Sequence, residues 1–375
     1  MTVILPKNMS VFFVRDLGTA SNPSADTKIT QLTYSRLDQL DFISTNTRFR
    51  CQSTINFPAT LGMDLSVPLC FVNRFGANGS PGLDLFVRTV SGGLGLAGTI
   101  AWISSNDGGN TWGNWTPLPG LLPSPGVFIA SGASASAHNE RRIIIVVRGS
   151  DNQLYRGTIT PNSSNQLVFN GWVSNEPLGS PPGQTIVGEP AVIGFGTNSY
   201  RVYVRTASNQ VWERVFNEFS NSLLAWTLRG GQEQIVSNAS PEGVDRWVGT
   251  PLNQSFLQIG FNVFYRTTQN AMRCTSYPDS GSIITNTDFA GGLTSPSGSA
   301  YFAGRIQGGT GPADTFYREL HTFVRGNDGL LYGRYGKIQL NGTLSIPDGW
   351  YSFPNYRVWG KPDAVTWEGQ PFTLC

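Results

Sequence analysis

The side chains able to do chemistry fall in one recurrent grouping. Arg205, Trp212, Glu213, Arg214 and Trp226 bring guanidinium groups, a carboxylate and two indoles together within residues 205–226. Arg148, Tyr155, Arg156 and Trp172 form a close parallel, as do Arg325, Tyr332, Arg334 and Trp350. Such a set suits a sugar ring. Its apolar C–H faces stack on Trp or Tyr while a nearby Arg, Glu or Asn bonds the hydroxyls. The competing expectation for each aromatic is a place in the core, where most large apolar side chains go.

The arginines end strand-like runs. Ile143–Tyr155, IIIVVRGSDNQLY, reads as a strand, a polar turn and a second strand. Copies end at Arg15, Arg88, Arg205, Arg266 and Arg325, so the six arginines are 57 to 73 residues apart. From Arg325 through the end of the chain to Arg15 is 65 residues, one more period. A period that also wraps from end to beginning is what a ring of repeats requires. In four copies Asn or Asp and then an aromatic or Met follow: Asn152/Tyr155, Asn209/Trp212, Asn270/Met272 and Asp328/Tyr332. Two roles fit the arginines. Each grips a ligand at one of six equivalent positions, or each closes its repeat by bonding carbonyls of the neighbour.

Around each arginine strand the sequence predicts three more. A small-residue strand opens the repeat: Met63–Val72, Gly126–Ser131, residues 188–192, Gly249–Ile259, Gly298–Gly304 and residues 360–365. A last strand carries an aromatic before a turn: Phe42, Trp115, Trp172, Trp226, Phe289 and Trp350. Four strands per unit, radially arranged, make a β-propeller blade. The segment from Gly360 has no arginine strand after it, and the first arginine strand has no opening strand before it. Pairing the two completes a blade. The expectation is an all-β, six-bladed β-propeller of four-stranded antiparallel blades, one domain over residues 1–375, closed by its N- and C-terminal strands.

Composition agrees. The chain has 44 Gly, 23 Pro and 12% aromatics, and its 13% charged residues fall well below the roughly 25% of an average soluble domain. A net charge of +2 without a basic block argues against nucleic acid or an anionic membrane as partner. Cys51, Cys70, Cys274 and Cys375 have no zinc-type spacing, so no metal or cofactor is expected. They are read as buried thiols, with a single bridge as the other option. No run approaches eighteen apolar residues, and MTVILPKNMSVFFVRD lacks the features of a signal peptide. The expected home is therefore the cytoplasm, or the exterior by a non-classical route. The seven Asn-x-Ser/Thr sequons are accordingly expected to be unmodified.

Ser105-Asn106-Asp107-Gly108-Gly109-Asn110-Thr111-Trp112 fits the Asp-box pattern S-x-D-x-G-x-T-W. In this stretch the chain resembles sialidase-type propellers, where the box is the turn between the third and fourth strands. Asp107 should accept hydrogen bonds from the loop's own amides, the glycines should take positive φ, and Trp112 should plug the turn. The resemblance implies fold rather than catalysis. The sialidase arginine-isoleucine-proline signature is absent, and no glutamate stands in a recognisable Tyr–Glu setting. His138 and His321 suggest no Ser-His-Asp order. A glycoside hydrolase with paired carboxylates at the tunnel mouth is the enzyme alternative, and a protein-docking propeller scaffold is a third.

A second resemblance spans nearly the whole chain. Gly-x-Pro-Ala-Val, then Val-Arg, then Asp-Asn-x-Leu-Tyr, then Trp is similar to bacterial propeller lectins of the Photorhabdus type and, in repeat grammar, to six-bladed fungal fucose-binding lectins. It implies a multivalent lectin taking glycans, fucose-like or O-methylated, in clefts between blades. The ligand-binding residues expected on this reading are Arg148, Tyr155, Trp172, Arg205, Trp212, Glu213, Trp226, Arg325, Tyr332 and Trp350. The copies at Arg15, Arg88 and Arg266 depart from the pattern, so fewer than six working sites are expected.

Overall fold

In the computed structural model the described residues are 7–18, 25–35, 51–58, 61–75, 81–90, 98–138, 142–173, 178–195, 199–218, 220, 222–229, 243–249, 258–266, 272–278, 285–289, 298–307, 317–339, 344–345 and 349–368. Their regular elements are all β-strands. The first three are β1 (Lys7–Asp16), β2 (Ala25–Ser35) and β3 (Cys51–Asn56). An antiparallel meander follows: β4 (Cys70–Phe75), β5 (Pro81–Arg88), β6 (Ile100–Ser105) and β7 (Thr116–Pro117). The next is β8 (Ser134–His138), β9 (Arg142–Arg148), β10 (Leu154–Pro161) and β11 (Leu167–Trp172). A third holds β12 (Ile186–Phe195), β13 (Ser199–Thr206) and β14 (Val211–Asn217), with β15 (Ser222–Leu223) and β16 (Thr227–Arg229) both on β14.

The fourth meander is β17 (Gly243–Gly249), β18 (Gln258–Arg266), β19 (Met272–Pro278) and β20 (Thr285–Phe289). The last strands are β21 (Gly298–Gln307), β22 (Tyr317–Arg325), β23 (Leu330–Gln339), β24 (Leu344–Ser345) and the long β25 (Tyr351–Glu368). These join β1–β3 in an eight-stranded sheet, because β25 is shared. Its first part pairs with β23, and its second pairs antiparallel with β1 from Glu368↔Lys7 to Val358↔Arg15. The expected meeting of the chain's first and last strands is thus present. Phe42 lies outside the described residues.

The chain divides into two compact units. One comprises residues 1–25, 30–53 and 242–375, and the other residues 26–29 and 54–241. In the second unit, the β-branched run Ile143–Val147 is fully buried at every position. A strand buried on both faces must lie between two layers. Period-two alternation divides its side chains: Ile143, Ile145 and Val147 join Val72, Phe86, Ile100 and Trp102, while Ile144 and Val146 join Ile186, Val202, Val204 and Phe216. Sheet β8–β11 therefore lies between sheets β4–β7 and β12–β16. Each such side chain is worth roughly 1.5–3 kcal/mol of burial. By contrast β11 alternates half-buried with exposed residues, as a sheet edge does. In the first unit, Val11, Phe13, Leu32, Phe323, Leu331, Phe353 and Val358 form the core cluster.

The six arginines lie at or next to the C-terminal ends of strands, as expected: β1, β5, β9, β13, β18 and β22. Three opening strands sit elsewhere than predicted. Met63 makes only an isolated bridge to Thr89, and β4 starts at Cys70. Residues 126–131 contribute a bridge from Ile129 to Gly149, and β8 starts at Ser134. The opening strand expected at Gly249–Ile259 is instead β17, Gly243–Gly249. A glycine often marks a bulge rather than a strand interior. β12 illustrates this: its register on β13 shifts between Val187 and Ala191, where Gly188 has a φ of 75°.

Candidate functional site

The arginines act first as latches. Arg148 donates from Nε to the Gly188 carbonyl in the bulge of the next sheet (3.0 Å), from Nη1 to Asn152 Oδ1 (2.9 Å) and from Nη2 to the Ala130 carbonyl (3.0 Å). Arg325 donates to the Val358 carbonyl at 2.7 Å, and Arg88 reaches the Ile129 carbonyl at 3.5 Å and Asp64 at 3.2 Å. Arg205, 5% exposed, donates to Asn209 Oδ1 at 3.2 Å. Burial pulls the Arg148 and Arg205 guanidinium groups down from their ordinary value, and Glu189 opposes it in both cases. Of the two roles open to the arginines, the neighbour's carbonyl is the one occupied at Arg88, Arg148 and Arg325.

The Asn-or-Asp-then-aromatic signature is turn chemistry. The residue four past the arginine is left-handed, with φ of 62° at Asn152, 59° at Asn209 and 81° at Gly329, a conformation Asn and Gly tolerate best. The Tyr155 hydroxyl donates to Asp151 (2.7 Å), and the Tyr332 hydroxyl donates to Asp328 (2.8 Å). A Cβ on Gly149 or Gly326 would meet the tyrosine ring at 2.8 and 2.4 Å, so glycine there makes room for the fold-back. Asp328 pushes the Tyr332 phenol above its ordinary pKa, whereas for Tyr155 burial is the main cause. Tyr155 is only 2% exposed and sits in the core.

The grouping at 205–226 divides between two faces of its sheet. On β14, Glu213 points opposite to Trp212 and Arg214, and Arg205 is registered with Val211 on Glu213's face. Glu213 is buried and receives Arg201 at 2.7 Å and Arg229 at 3.3 Å. Sequence reasoning passed over both of these partners. On the other face Arg214 lies over the half-buried Trp226 ring at 5.6 Å and donates to the Leu178 carbonyl, while Trp212 donates to Gln210 at 3.2 Å. Arg334 lies over Trp350 at 5.7 Å. Trp172 donates to the Pro119 carbonyl at 2.8 Å and meets Phe169 edge to face. The indoles are thus partly open, whereas Arg205, Glu213 and Tyr155 are enclosed.

None of the ten expected residues lines the cleft between sheets β4–β7 and β8–β11. It has a volume of about 410 Å³ and is lined by Trp102, Ser104, Asn106 and Asn114 on one side and Gln166 and Leu167 on the other. No lining side chain carries a charge. Beneath it, Arg74 and Asp84 form a fully buried pair at 2.5 Å. Asp84 accepts Trp102 Nε1–H at 2.9 Å, and Arg74 Nη2 donates to Ser104 Oγ (2.6 Å) and Asn106 Oδ1 (2.7 Å). Amides and hydroxyls beside an indole can hold an uncharged polyol. The only hint of this wall in the sequence was the turn that adjoins it.

That turn, residues 105–112, joins β6 to β7 as expected. Ser105 Oγ donates to Asp107 Oδ1 (2.8 Å) and accepts the Gly109 amide (2.8 Å). Asp107 also takes the Thr111 amide (2.9 Å) and hydroxyl (2.6 Å). Gly108 and Gly109 have φ of 73° and 93°. Burial works against ionisation of Asp107, but the Thr111 and Ser105 hydrogen bonds hold its carboxyl below the ordinary value.

Neither a protein-family model nor a curated protein sequence matches the chain. Among solved structures it is similar to AofleA from Arthrobotrys oligospora, with a TM-score of 0.55 and 12% identity over 98% of this chain and 94% of that one. It is also similar to a Dyadobacter fermentans protein of unknown function, with a TM-score of 0.50 and 11% identity over 91% and 95%. A weaker likeness, with a TM-score of 0.42 and 14% identity over 74% and 77%, is to Aleuria aurantia lectin, described as a six-bladed β-propeller with a novel fucose recognition mode. At these identities the likeness to the first two is one of fold.

Proposed function

We propose that the chain is a six-bladed β-propeller lectin, one domain over residues 1–375, that holds glycans in clefts between adjacent blades. The blade count is supported by the strand pairing: with the two parts of β25 counted separately, the sheets group into six antiparallel meanders of four or five strands, each with an arginine strand second. The observation that carries the function is the uncharged, amide-rich cleft of about 410 Å³ between two stacked sheets. The partly open Trp172, Trp212, Trp226 and Trp350, two of them under arginines, are the aromatic platforms of further sites. Arg148, Arg205, Arg325, Tyr155, Tyr332 and Glu213 serve these sites by holding the scaffold. Several weak sites on one molecule gain avidity on a multivalent glycan surface.

A glycan array containing fucosylated, O-methylated and N-acetylated sugars tests the reading. Binding is expected, with signal reduced by Trp226→Ala or Trp350→Ala at unchanged melting temperature. A blank array would sink the proposal. So would release of chromophore from aryl glycosides, which belongs to a hydrolase.

A further inference from the structure

The buried charges under the cleft dictate which way Asn106 faces. A guanidinium can only donate, so the amide oxygen of Asn106 must be the atom that meets Arg74 Nη2 at 2.7 Å. The Asn106 NH2 group is therefore left to face away from Arg74, on an exposed residue that lines the cleft. The other polar groups of that wall nearest the network are already used. Trp102 Nε1–H is committed to Asp84, and Ser104 accepts from Arg74 while donating to Asp84. Trp102 then offers apolar surface, with Leu167 opposite. The wall thus presents an oriented pair of N–H donors beside apolar carbon.

Building on the lectin reading, the geometry points to Asn106 as a specificity-determining donor. It takes an oxygen that carries no proton, and the ligand class is a neutral N-acetylated hexosamine. The acetamido carbonyl accepts from Asn106 Nδ2, and the acetamido methyl lies against the apolar surface. A hydroxyl in that place satisfies the donors but leaves its own proton to find a partner and brings no methyl to the carbon surface. Charged sugars are disfavoured because no lining group neutralises them.

The test is titration of the full chain with N-acetylglucosamine and N-acetylgalactosamine against glucose and galactose, together with saturation-transfer NMR. Expected are tighter binding of the N-acetyl sugars and the strongest saturation on the acetyl methyl. Asn106→Asp keeps an oxygen toward Arg74 but replaces the donors with an acceptor, and should lower N-acetyl affinity about ten-fold or more. Asn106→Ala, at an exposed position, should lose the preference without loss of fold by near-UV circular dichroism. If the N-acetyl sugars bind no better than their parents, or if both folded Asn106 variants keep the preference, the assignment is wrong and the lectin reading survives. If no sugar binds at all, both fall.

Discussion

Sheet β8–β11 meets a neighbour on each face, and the two interfaces end differently at their margins. Toward β4–β7, Ile143, Ile145 and Val147 pack on Val72, Phe86 and Trp102, and beyond Ser104 and Thr116 the sheets part into the cleft. Toward β12–β16 the margin is filled. Arg156 lies over Phe216 at 5.2 Å, Tyr200 stacks on the same ring at 5.0 Å and 15°, and Arg142 closes on Glu218 at 2.9 Å. Burial pushes the Tyr200 hydroxyl and the Glu218 carboxyl upward, with Arg142 and Arg156 opposing. The two interfaces share strand order and latch. They differ in side-chain volume at the margin, and that volume decides whether a ligand has room.

Four changes would break or sharpen this contrast. The largest effect is expected from Arg74→Ala, which leaves Asp84 buried without its partner. A loss of about 3–5 kcal/mol in urea unfolding is expected, and an unchanged midpoint would mean that the pair does not support the open interface. Phe216→Ala removes the plug from the closed interface. Calorimetry should record destabilisation near the low end of the 3–5 kcal/mol typical of such truncations, about 3 kcal/mol, because the margin can partly collapse.

Arg148→Lys keeps the charge but loses the fork that spans Gly188, Asn152 and Ala130. About 1–2 kcal/mol should go, and a neutral result would return Arg148 to the list of ligand grips. The smallest effect is at the cleft's rim. Asp107 has a lowered carboxyl pKa in the folded state, so its turn contributes stability above the ordinary carboxylate value and loses it as pH falls through the lower folded value. The gap between wild type and Asp107→Asn should therefore be present at neutral pH and close in acid, as pH falls below the ordinary carboxylate value. A gap that persists in acid would contradict this account.

Much of the scaffold was legible in the sequence. The arginine strands, the turns after them, the 105–112 turn and the pairing of the first and last strands all follow from local composition and period. The division of the 205–226 grouping was also within reach. Glu213 stands between Trp212 and Arg214 on one strand, and alternation alone forbids all three from sharing a face. The displaced opening strands were harder to read, since glycine marks both a crowded strand and a bulge, and the choice depends on the partner strand's register. The cleft was out of reach, because an empty volume has no residue of its own. Ser104 and Gln166 face it from 62 positions apart.

Taken alone, the order of residues determined an all-β chain of repeated meanders and the hydrogen bonds that close their turns, because these interactions act within a few residues. Tertiary packing decided which faces meet, which arginines are consumed as latches, and where two sheets leave space between them. These are properties of surfaces brought together from distant parts of the chain, set by the fit of whole side chains rather than by the preference of any one.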